Sequence, residues 1–117
     1  MNKLFFPFLL VFIAFNVNAH NKRYLLDEFV RNYYHEIQYE GKKPEYDVFK
    51  KGMIGYLNLK MQGKLRQNDL LTIIDFRLSS NKKRIWVIDM DRKKVIYHNL
   101  VAHGRNTGNE FARHFSN

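Results

Sequence analysis

Between residues 20 and 38 the apolar side chains fall at helical spacing: Leu25, Leu26, Phe29, Val30, Tyr33, Tyr34 and Ile37 share one stripe. This predicts an amphipathic helix with that stripe toward a core. Residues 39–44 break the pattern, with Gly41 and Pro44 punctuating a polar linker and Pro44 suited to the start of a second helix. The second helix is predicted over 45–62, where Val48, Phe49, Met53, Tyr56, Leu57 and Leu59 repeat the spacing and Gly52 and Gly55 lower the propensity. After Gly63 the period changes. β-branched runs at 70–76, 84–90 and 94–102 read as strands, and Asp91, Arg92 and Lys93 supply a hairpin turn that pairs the last two antiparallel. The pattern therefore predicts an α+β chain: two helices, then an antiparallel β-rich part. Three strands leave unpaired edges, and no remaining segment is expected to cover them.

The first residues have a different character. Met1, Asn2 and Lys3 make a short basic start, and residues 4–15 carry no charge, with Pro7 the one break in the apolar run. A membrane-crossing helix needs about 20 predominantly apolar residues, so a permanent anchor is not expected. Val17, Asn18 and Ala19 then offer small or modest side chains to a signal peptidase, and residues 1–19 read as a secretory signal cleaved before His20. The expected mature chain has 98 residues, room for one small domain, divided into a helical part (20–63) and a strand part (64–117).

Charge adds a direction. The net charge is +9 for the whole chain and +8 without Lys3, with 11 basic and 5 acidic residues in the strand part against 8 and 6 in the helical part. An exported basic protein meets anionic envelope polymers before nucleic acid, so peptidoglycan or another such polymer is the expected partner and nucleic acid is not. No membrane anchor is expected once the signal is removed, and charge and spacing leave the oligomeric state open. The sequence contains no cysteine, which excludes disulfides, thiolate metal sites and a cysteine nucleophile within these 117 residues.

Candidate chemistry concentrates late in the chain. None of His20, His35, His98, His103 and His114 pairs with another at metal-ligand spacing, and on a strand over 94–102 the five-residue separation of His98 and His103 would point them to opposite faces. No metal or other cofactor is expected. Asp75 and Asp89 close neighbouring strands, where they either approach each other as a carboxylate pair or cap turns beside Arg77 and Arg92; the second reading is favoured. Trp86 reads as core. The densest candidate is residues 101–108, where a strand runs into a loop with two glycines: Gly104 and Gly108 permit close backbone approach or positive φ, and His103, Gly104, Arg105 and Asn106 are the expected ligand-lining residues. A plain turn with a solvated arginine accounts for the same spacing.

Four ordered blocks, LTIIDF (71–76), KRIWVID (83–89), LVAHGRNTG (100–108) and FSN (115–117), resemble the opening of the murein L,D-transpeptidase catalytic-domain family. The resemblance implies a β-rich exported domain that exchanges peptide crosslinks in peptidoglycan through a cysteine nucleophile. In the family that cysteine and its partner histidine lie downstream of the block resembling FSN. The expectation is therefore a truncated member that carries the helical lead-in and first strands, folds marginally and is inactive. Ser116, without a general base beside it, is not expected to substitute. His103 matches the family's HG pair, for which the resemblance implies a supporting or substrate-lining role and no catalytic one. The rival expectation is a non-enzymatic basic module that binds peptidoglycan or another envelope polymer.

Overall fold

The computed structural model describes residues 19–66 and 69–115. The expected signal, apart from Ala19, and Ser116 and Asn117 of the FSN block lie outside the described residues. The elements in order are helix α1 (Ala19–Glu36), helix α2 (Tyr46–Met61), strands β1 (Leu70–Ile74), β2 (Ile85–Asp89) and β3 (Lys94–Asn99), and a short 3-10 turn, Arg105–Thr107. Helices followed by an antiparallel sheet make the chain α+β.

The described residues fall into two units, one ending at Val30 and the other beginning at Arg31, with the boundary inside α1. In the first unit the predicted helix forms, but Leu25, Leu26 and Phe29 of its expected core stripe are exposed.

In the second unit, Tyr33 stacks on Phe49 with ring centroids 6.3 Å apart, and Tyr34 lies 5.2 Å from Phe49 and 5.3 Å from Tyr46. The linker is tied down by Lys43, whose Nζ donates to the helix-end carbonyl of Tyr34 at 2.8 Å and sits 4.5 Å over the Tyr34 ring. A cation on the last carbonyls of α1 complements the negative end of the helix dipole. α2 buries Phe49, Met53 and Tyr56, one helical face. Gly52 lies on the side of α2 against β1: a Cβ there would stand 3.3 Å from Ile73 Cδ1, so the missing side chain lets helix and strand approach closely.

The sheet order is β1-β2-β3, both pairs antiparallel. Leu70 pairs with Asp89 through Ile74 with Ile85, and Ile85 with Asn99 through Asp89 with Lys94. Val87 faces Tyr97 while Ile88 faces Val95, which leaves Ile96 as the extra residue of a bulge. β2 and the residues flanking it carry the core: Arg84, Trp86, Ile88 and Met90 alternate as buried residues. Trp86 donates its indole N–H to Lys42 O at 2.9 Å and stacks on His98 at 4.6 Å.

Two sequence expectations are corrected here. β3 ends at Asn99, not at residue 102, because Leu100 N is taken by the Asn99 side chain and Val101 O by Arg84. His103 is therefore on a loop, and the opposite-face argument for His98 and His103 does not apply. The β3 edge is also partly covered. Gln38, in the linker's approach, receives Val95 N–H at 3.2 Å and donates to Lys93 O at 2.8 Å, forming a parallel bridge with Lys94.

Candidate functional site

Two loops meet at the end of β2. The first, residues 75–84, begins with the buried Asp75, whose Oδ1 accepts Arg77 N–H at 3.0 Å and Arg77 Nε at 3.0 Å while Oδ2 accepts Arg77 NH2 at 2.9 Å. Arg77 reaches on to Asp47 at the start of α2, at 2.9 Å. Asp89 at the other end of β2 accepts the backbone N–H of Asp91 at 3.1 Å and of Arg92 at 2.9 Å. Both carboxylates thus do what the favoured sequence reading expects, capping turns beside an arginine. The antiparallel register puts them at opposite ends of the strands, so they form no pair. The carboxylates that do meet are Asp69 and Asp91: their mutual hydrogen bond raises the Asp91 pKa, and Tyr56 donates to Asp69 Oδ1 at 3.1 Å.

The Arg77 guanidinium holds the Asp75 carboxyl below its ordinary value of 3.8. A carboxylate with a depressed folded-state pKa contributes stability that is fully present above the unfolded value and is lost as pH falls through the folded one. Urea titrations should therefore show an acid limb below the ordinary aspartate range. In Arg77→Met that limb should become shallower and stability at neutral pH should fall. An unchanged limb would show that the pair does not govern acid stability.

The second loop, residues 100–115, carries the predicted ligand-lining residues. His103 is half-buried and Gly104, Arg105 and Asn106 are exposed at the 3-10 turn. Both ring nitrogens of His103 are engaged: Nδ1 with Arg84 NH2 at 2.8 Å and Nε2 with Gly108 O at 2.9 Å. Arginine has only donors, so Nδ1 accepts and the proton sits on Nε2, which donates to the carbonyl. The two glycines play different parts. Gly104 has an ordinary φ of −61°, whereas Gly108 has φ 138° and a Cβ there would lie 2.1 Å from Phe111 O. Beyond the 3-10 turn the chain folds back, and Thr107 O accepts Arg113 N–H at 2.6 Å and His114 N–H at 3.1 Å. An open polar pocket of about 380 Å³ lies here, lined by Gly108, Asn109, Glu110, Phe111, Arg113 and His114.

The loops are fastened to each other by hydrogen bonds and by a ring contact, Phe76 on Phe115 with centroids 5.6 Å apart. Ser80 N–H donates to Glu110 O at 2.8 Å, and Ser79 Oγ donates to the Glu110 carboxylate. Arg84 makes a further connection, with Nη1 on Leu78 O at 2.9 Å and Nε and Nη2 on Val101 O at 3.1 and 2.8 Å. Sequence reasoning found the loop but missed Arg84, Glu110 and the 108–114 pocket. For Arg84 the signal was present: counting back by two from Trp86 places an arginine on the inward parity of β2. Among the described residues, no group of three His, Asp or Glu side chains is placed to hold a metal.

A family model for the L,D-transpeptidase catalytic domain matches residues 40–117. The chain belongs to the L,D-transpeptidase catalytic-domain family. The match takes in two-thirds of the chain and begins before α2, so the L,D-transpeptidase region includes α2, all three strands and both loops joined by Arg84. No curated protein and no solved structure matches the chain. Domains of this family act on peptidoglycan crosslinks, usually in the periplasm or cell wall. No helix among the described residues is long and apolar enough to cross a membrane.

Proposed function

We propose that the chain is exported through its first 19 residues and works at peptidoglycan as a non-catalytic L,D-transpeptidase-like protein. The observation that carries this reading is the family match over residues 40–117 in a sequence without cysteine. Acyl transfer in the family uses a thiolate, and removing the nucleophile from a concerted catalytic set costs on the order of a millionfold in turnover. No residue of these 117 supplies that group. What the chain retains is a loop with exposed Gly104, Arg105 and Asn106 beside a polar pocket with Arg113 and His114, in the more basic half of the sequence. Such a surface suits the carboxylate-bearing peptides of peptidoglycan.

The full chain, produced in a secreting host, should appear outside the cytoplasm with His20 as its first residue. Incubated with purified sacculi, it should be retained at low salt and released as salt rises, because exposed charge contacts are screened. It should leave the crosslink pattern of the muropeptides unchanged. Absence of retention at any salt, or altered crosslinks, would overturn the reading.

A further inference from the structure

We infer that Arg84 is the positioning residue of the candidate site: it locks His103 and the 101–108 loop onto the end of β2. Arg84 is 0% exposed. Among the described residues no carboxylate meets its guanidinium. Its partners are the carbonyls of Val101 and Leu78 and the Nδ1 lone pair of His103, while the Phe76 ring lies 5.0 Å from its central carbon.

A buried cation without an anion is a costly way to fill space, since an apolar side chain of similar volume would avoid the desolvation. What an apolar residue cannot do is hold three acceptors from two loops in one plane. The guanidinium fork does this from a single rigid group. Nη1 fixes the 75–84 loop at Leu78, the edge formed by Nε and Nη2 fixes the start of the 100–115 loop at Val101, and the second N–H of Nη2 fixes the imidazole of His103. The imidazole passes the constraint on: held in the Nε2–H form, it donates to the carbonyl of Gly108, one of the residues that line the 108–114 pocket. A chain of two hydrogen bonds thus runs from the buried Arg84 to the pocket. His103, with both nitrogens occupied, orders the loop from within and leaves the contact with ligand to its exposed neighbours Gly104, Arg105 and Asn106. The positioning itself is independent of the ligand; its consequence for peptidoglycan binding rests on the proposed function.

The test uses the isotope-labelled full chain in solution. The wild type should show a nitrogen–nitrogen coupling across the hydrogen bond between Arg84 and His103 Nδ1, with the imidazole proton on Nε2. In Arg84→Lys, which keeps the charge but cannot span three acceptors, amide exchange at residues 101–108 should accelerate about tenfold or more while the β1 and β2 amides stay protected. Arg84→Met should do more. Should Arg84→Met not fold, His103→Ala removes the outer end of the chain from a half-exposed position and should free Gly108 while leaving Leu78 in place. A proton on Nδ1, or loop exchange unchanged in a folded Arg84→Lys, would overturn the inference. A loosened loop with undiminished retention on sacculi would uphold Arg84 as the positioning residue and count against this loop as the binding surface.

Discussion

Replacing Trp86 by alanine should cost about 3–5 kcal/mol, the range for removing a buried large aromatic side chain. Trp86 is 1% exposed at the centre of β2, stacked on His98 and bonded to the linker carbonyl of Lys42. Removing it opens a cavity, takes away the stacking partner of His98 and breaks the bond to the linker at Lys42. His98 is held by its own contacts, Tyr39 OH at 2.8 Å and Lys83 O at 3.1 Å, so part of the linker attachment also depends on that ring. Against the 5–15 kcal/mol of an ordinary small domain, this loss is a large fraction of the total. Because Trp86 is the single tryptophan, unfolding should be followed by circular dichroism. Trp86→Phe keeps a ring on His98 and forgoes the Lys42 bond, for which about 1 kcal/mol is expected. If alanine cost no more than phenylalanine, the sheet would not be organised around this side chain.

The elements legible in the sequence are those whose residues report their own surroundings. Phe49, Met53 and Tyr56 recur at helical spacing because one face of α2 is buried, and Trp86, Ile88 and Met90 alternate because one face of β2 is. Local period and burial agree there, so the pattern sufficed. It overran at residues 100–102, where Leu100, Val101 and Ala102 look like more strand but Leu100 N–H is claimed by the Asn99 side chain and Val101 O by Arg84, a residue 17 positions upstream. It failed for the exposed half of α1, where Leu25 and Leu26 have strand-independent helical spacing without burial. The candidate site divides in the same way. Its loop was visible as glycines and polar residues after a strand, while its fastening to Leu78, Ser79 and Ser80 depends on pairings between distant segments, which spacing along the chain does not encode.

The glycines of that loop give the sharpest contrast between readings. Sequence alone treats Gly104 and Gly108 as equivalent, yet their alanine variants should differ in sign. At Gly104, φ is −61° and ψ is 149°, open to any residue, and a new Cβ would meet nothing nearer than the Thr107 side chain at 3.9 Å. Gly104→Ala should be neutral or stabilise by about 0.4–1 kcal/mol, through the smaller freedom of the unfolded chain. At Gly108, φ is 138° and ψ is 174°, a region held almost entirely by glycine, for which an L-residue incurs about 1–3 kcal/mol. A Cβ would also stand 2.1 Å from Phe111 O, a backbone atom that cannot rotate aside. Relief requires moving the 108–114 segment. That breaks the bonds from Arg113 and His114 to Thr107 O and pulls Gly108 O from His103 Nε2. Gly108→Ala should therefore lower the denaturation midpoint, accelerate amide exchange at Arg113 and His114, and weaken retention on sacculi, while Gly104→Ala leaves the midpoint and the exchange near wild type. Equal effects from the two substitutions would mean that the loop lacks the fixed conformation through which the pocket is formed.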